Sequence, residues 1–211
     1  MAHPVSLGPR DDHCTDLSMA VERPLLPRFY PILQGGFLIR VRVGTGIGPL
    51  LREQLALSDG FISERISTVF LDGMPVDDLD RATIREGSTL ALSSAMPGLV
   101  GATMRRQGFY ASFRGSITYR EEDGQNEVRE GLLCVKVFNL LMADLGPLFL
   151  EKGMYLPSPE VEGLMATEPD RFFDGIREAK LNGEVIPPSS LKKRGAMPRC
   201  DWTHLVVCAY S

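Results

Sequence analysis

The chain has 211 residues, of which 44% are apolar and 24% charged, with a formal net charge of -4. That composition supplies a buried core and excludes global disorder, and the acidic balance removes the long-range attraction that a general nucleic-acid binder needs. Four scattered cysteines, at 14, 134, 200 and 208, give no disulfide framework and point to reduced thiols.

Residues 1–27, rich in proline and acidic groups, show no sustained period and are expected to form an extended N-terminal arm. The arm has no basic-then-apolar leader, which favours a cytoplasmic protein. Next, Arg28–Leu33 and Phe37–Val43 flank Gln34-Gly35-Gly36 and read as a hairpin. The second run alternates apolar residues with Arg40 and Arg42, the pattern of a half-exposed strand. Pro49 suits the first turn of a helix, and Ile47, Leu50, Leu51 and Leu55 recur on one helical face. Ser67–Leu71 and Met74–Val76 flank Asp72-Gly73, a strong hairpin signal. Gly87–Leu92 closes the series as a last strand and leads to Pro97-Gly98-Leu99-Val100-Gly101.

That order, ββαββ plus a closing strand with a glycine-containing tail, resembles the ubiquitin-like β-grasp domains over about residues 28–101. Within them it is most similar to the bacterial sulfur-carrier proteins of thiamine and molybdopterin biosynthesis. The resemblance implies a β-grasp fold. It also implies carrier chemistry on a glycine carboxylate, which here requires processing after Gly98 or Gly101, since those are single glycines followed by 110 further residues.

Residues 105–211 read as a second α+β domain. Phe109–Arg120 and Glu127–Val137 are expected to form a long hairpin around Asp123-Gly124, followed by a helix over 138–150 that Gly146-Pro147 kinks or ends. Its expected buried stripe is Phe138, Leu141, Met142, Leu145 and Phe149. Ser158-Pro159 starts another helix. Thr167 with Asp170 resembles a capping box for a third, which carries Phe172, Phe173 and Ile176 inward and ends near Lys180. Asn182-Gly183 turns into Glu184–Ile186, a polar basic loop covers 187–199, and Thr203–Tyr210 reads as a core strand.

Few residues carry a chemical signal. Gly44, Gly46 and Gly48 lie between a strand and a helix, where free amides can hold a phosphate, although the run lacks both the dinucleotide fingerprint and the P-loop lysine. Arg105 and Arg106 can add charge to such a ligand site at the domain junction. Cys200, His204 and Cys208, with His13-Cys14, bring thiols and imidazoles together, but no Cys-x-x-Cys pair makes the spacing specific. On one strand His204 and Cys208 would lie about 13 Å apart, too far for one ion. No metal site is therefore predicted, and Cys200 and His204 are kept as a candidate reactive or metal-ligating group, with Cys200 as nucleophile and His204 or His13 as base.

The acidic clusters Asp77-Asp78-Asp80 and Glu121-Glu122-Asp123 read as solvated turns, and Lys192-Lys193-Arg194 beside Arg199 and Trp202 as a basic loop. The longest apolar stretch, 131–150, is broken by Lys136, Asn139, Asp144 and Gly146-Pro147, so no membrane span is expected. No cofactor is expected, nucleic acid is disfavoured, and the partner is another protein or a second copy. The function expected is non-enzymatic binding on the face that carries Arg40 and Arg42. The alternative is a cofactor- or phosphate-binding enzyme, or a carrier released by processing.

Overall fold

A computed structural model describes residues 8–9, 14–94, 98–106, 108, 118–119, 127–193 and 195–210. The protein is α+β, with ten strands and seven α-helices among the described residues. Contacts group it into two compact units, one of residues 1–32 with 143–211 and one of residues 33–142. This grouping differs from the expected sequential split near 101–105.

In the first unit, strand β1 (Cys14–Glu22) pairs in parallel with β10 (Trp202–Tyr210) from Cys14↔Trp202 to Glu22↔Tyr210. Its other edge pairs antiparallel with β8 (Ile176–Leu181), which forms a hairpin with β9 (Glu184–Ile186). On the far side of β10 lies β7 (Met154–Pro157). The sequence-stretch read as an arm therefore contains a central strand. Alternate residues Thr15, Leu17, Met19 and Val21 are fully or almost fully buried, a period-2 pattern that the prolines and acids on either side obscure.

The run Arg28–Leu33 is helical, which corrects the expected first strand. It is divided between a 3-10 helix, Arg23–Phe29, and α1 (Tyr30–Gly35). Pro24, Pro27 and Pro31 explain this: each would remove a ladder donor from a strand, whereas their fixed φ suits short helical turns. Leu26, Phe29 and Leu33 then fall on one buried face. Helix α5 (Leu141–Lys152) continues through Gly146-Pro147 and buries Leu145, Phe149 and Leu150. Phe138, expected in that helix, ends a strand instead.

The next two helices start as expected, but the second lacks the expected capping box. In α6 (Ser158–Thr167) the Ser158 hydroxyl bonds Thr203 Oγ1 at 2.8 Å in the core. Thr167 Oγ1 donates back to Leu164 O, so α7 (Asp170–Asp174) has no capping box, and Ile176 and Lys180 belong to β8. Asn182 and Gly183 both take positive φ, 50° and 83°, as the expected two-residue hairpin turn requires.

In the second unit the strands are β2 (Phe37–Val43), β3 (Thr68–Leu71), β4 (Met74–Pro75), β5 (Thr89–Ser93) and β6 (Arg129–Phe138). Their order is β4-β3-β5-β6-β2. The β5–β6 pair is parallel and the others antiparallel. The Asp72-Gly73 hairpin and the last strand near Thr89 form as expected, with φ of 51° and 81° at the turn.

The partner of β2 is β6, not residues 28–33. The strand expected at 109–120 opposite β6 lies largely outside the described residues. Between β2 and β3 the chain makes α2 (Ile47–Pro49), a π-helical turn over Leu50–Gln54, and α3 (Asp59–Arg65). Ile47, Leu50, Leu51 and Leu55 are buried as their spacing requires. The sequence pattern missed α3, whose N-cap Ser58 Oγ accepts from Phe61 N at 3.2 Å. Residues 94–128 connect β5 to β6, because parallel neighbours need a crossover, and α4 (Gly98–Met104) lies within it.

The burial of β1 sets a clear expectation. Leu17→Ala should lower stability by about 2–5 kcal/mol in urea unfolding, as for a deleted core side chain. A loss below about 0.5 kcal/mol, the value for a surface arm, would contradict the central placement of β1.

Candidate functional site

The second unit holds a cleft of about 1020 Å³ between α3, the acidic turn after β4, and the end of α4. Arg105 and Arg106 both line it. Arg106 is half-buried, its amide donates to Ser67 O at 2.8 Å, and its Nη2 donates to Ile62 O and Ile66 O at 3.2 and 3.3 Å. It therefore caps the carbonyl end of α3. Burial lowers its pKa below the ordinary guanidinium value, and Asp77 opposes that shift. Arg52 is held between Asp80 and Asp59, and Asp78 Oδ1 accepts the amides of Asp80 and Arg81 at 3.1 and 3.2 Å.

These charges serve one another and the backbone. Among the described residues, the lining of the cleft lies between 52 and 108, inside one unit, and does not include the Gly44–Gly48 loop.

That loop is a structural crossing. Gly44 N donates to Ile84 O, Ile47 N to Ala82 O and Gly48 N to Leu79 O, at 2.8 to 3.0 Å. Three of the amides that a phosphate could use are thus engaged within the protein. The glycines are needed for approach: a Cβ on Gly46 would strike the Asp80 carbonyl, and one on Gly48 the Asp80 carboxylate and Arg52. Gly44 also holds φ at +80°. Gly98 and Gly101 lie in α4, within the crossover between β5 and β6.

In the first unit, His204 and Asp16 are Cα partners, with Nδ1 and Oδ1 3.1 Å apart. The imidazole is 4.7 Å from the Tyr155 ring, centroid to centroid. Its Nε2 packs over Gly153, where a Cβ would collide with it. His204 is thus positioned by Asp16, Tyr155 and Gly153. Cys200 precedes β10 and is half-buried, and all four cysteines are free thiols. Among the described residues no group of three or more His, Cys, Asp or Glu is placed to hold a metal.

Arg40 and Arg42 do lie on the exposed side of β2, where the burial alternates as the sequence implies. Arg42 Nη2 donates to Glu53 Oε2 at 3.2 Å, and its amide donates to Gln54 Oε1 at 2.7 Å. Across the strands, Arg40 faces Leu132 and Arg42 faces Glu130. The same face of the sheet carries Cys134, Lys136 and Phe138 on β6, Ala91 on β5 and Phe70 on β3, all half-buried.

Phe70, Ala91, Ser93, Phe138 and Asn139 line a recess of about 240 Å³ there. Asn139, with φ of 57°, anchors it through Nδ2 to Ser93 Oγ at 2.9 Å. The sequence reading missed this recess because Phe70 sits within Val69-Phe70-Leu71, whose continuous apolar run conceals which side faces out. The register Phe70↔Ala91↔Lys136, visible only once strands pair, is the signal that finds it. No family model, curated protein or solved structure matches the chain. Among the described residues, no helix is long and apolar enough to cross a membrane.

Two outcomes test this assignment of roles. Gly46→Ala should cost about 1–3 kcal/mol in urea unfolding, from overpacking against the backbone, while millimolar phosphate leaves the Tm of the unaltered protein unchanged. A phosphate-induced rise would restore the loop as an anion site. For the thiols, burial raises the Cys134 pKa, opposed by Lys136 and by a hydrogen bond from Thr89. Less thiolate at a given pH means slower alkylation, so at mildly alkaline pH iodoacetamide should modify exposed Cys208 roughly ten-fold faster than Cys134. Equal rates in peptide mass mapping would refute that environment.

Proposed function

We propose that this chain is a non-enzymatic docking protein built on a β-grasp unit, with the outer face of the five strands of that unit as the interaction platform. What supports the β-grasp reading is the strand order: a parallel central pair, β5–β6, flanked by antiparallel strands, with the helical segment 47–65 between β2 and β3. In this reading β6 occupies the place that residues 28–33 were expected to take. The crossover explains why: the chain returns after β5 to supply the strand that β2 requires.

The observation that carries docking is the outward face, where Arg40 and Arg42 run beside half-exposed Leu132, Phe138, Ala91 and Phe70. A mixed apolar and arginine surface is the composition of protein interfaces. The enzyme reading has less support, because the cleft arginines and the glycine-loop amides are engaged within the protein. Release of a carrier carboxylate would require cutting the connection between two paired strands.

A photo-crosslinking amino acid at position 40, installed in the full chain in its own host, should give a discrete covalent adduct with another protein. The same residue at Glu160, exposed on α6, should not. Identical adduct patterns at both positions, or no adduct at position 40, would remove the sheet face from consideration.

A further inference from the structure

We propose that the recess between Phe70 and Phe138 receives a segment of a partner protein that presents an apolar side chain next to a carboxylate. This rests on the docking reading above and specifies the chemistry of the partner.

The recess has walls of Phe70 and Phe138, a floor at Ala91 and a polar end at Ser93 and Asn139. Its volume, about 240 Å³, suits one apolar side chain rather than a cofactor, whose pockets usually start near 300 Å³. Ala91 is the small residue that makes the depression: its strand neighbours on this face are Phe70 on one side and Lys136 on the other.

Charge selects the occupant. Lys136 is the Cα partner of Ala91 and makes no ion pair among the described residues. The aliphatic part of its side chain lies against Gly36, where an added Cβ would stand 3.0 Å from Lys136 Cε. Arg40 and Arg42 extend the same basic strip along β2. Glu130, facing Arg42, and Glu53, paired with it, offset part of that charge at the end away from the recess. Lys136 thus sets a cation beside the recess on a chain whose net charge is -4. An acidic group on an approaching segment is favoured at this end of the face.

The probe is a pair of small molecules with the same ring and spacer and opposite charge, phenylbutyrate and phenylbutylamine, titrated into the nitrogen-labelled full-length protein and followed by amide shifts. Phenylbutyrate should perturb the amides around Phe70, Ala91 and Phe138 and bind about five-fold more tightly than the amine, the upper range for one exposed charge pair. Lys136→Glu should invert that preference. Ala91→Leu, which fills the depression, should abolish binding of both while the spectrum stays dispersed.

Equal affinities for the two probes, or a preference that survives Lys136→Glu, would overturn the acidic partner while leaving the docking face intact. Shifts confined to other surfaces, or none, would remove the recess as a site. The crosslink at position 40 then decides the docking reading separately.

Discussion

The parallel pairing of β1 with β10 is the constraint on which the first unit depends. Its nine-residue register joins segments near the two ends of the chain, so no local turn can form it. Leu17, Met19 and Val21 on β1 and Leu205 and Val207 on β10 are buried together with Phe29, Phe149 and Phe172. At about 25 cal/mol per Å² of apolar surface, such burial is the main term that offsets the entropy of closing so long a loop. Once the pair exists, β8 and β7 have edges to join, and the hairpin at Asn182-Gly183 follows from β8.

The second unit has a similar dependence on a nonlocal parallel pair. β6 joins β5 on one side and β2 on the other, so the strand between them arrives late in the chain. Two polar contacts brace its first half: Glu86 accepts from Leu132 N at 3.0 Å and pairs with Arg129 at 3.0 Å. Asp72 does the same for β5, accepting from Thr89 N and Ser88 Oγ at 2.7 and 3.0 Å. These carboxylates satisfy backbone and hydroxyl donors at strand ends, which is structural chemistry.

The distribution of polar groups separates scaffold from surface. Where acids and arginines meet in the cleft, they close on each other or on helix-end carbonyls, and the glycine loop closes on the backbone of residues 79–84. The outer face of the sheet differs in kind: its basic residues stand beside apolar ones, and the recess at Phe70 and Phe138 is open. The dyad of Asp16 and His204 sits in yet another setting, pressed against Tyr155 and Gly153.

Local chemistry was legible in the sequence wherever a few adjacent residues decide the backbone. Asp72-Gly73 and Asn182-Gly183 specify two-residue turns through positive φ, the spacing of Ile47, Leu50, Leu51 and Leu55 specifies a buried helical face, and alternation marks Arg40 and Arg42 as outward. The α+β class was legible for the same reason. Partnership was not. Cys14–Glu22 becomes a central strand only because β10 and β8 flank it, and Phe37–Val43 pairs with Arg129–Val135 because three prolines make the nearer segment helical. The amides of Gly44, Ile47 and Gly48, expected to be free, are taken by a segment more than thirty residues onward. Hydrogen-bond donors and apolar faces in a sequence state what must be satisfied; only the tertiary structure, through burial and strand pairing between distant residues, selects what satisfies them.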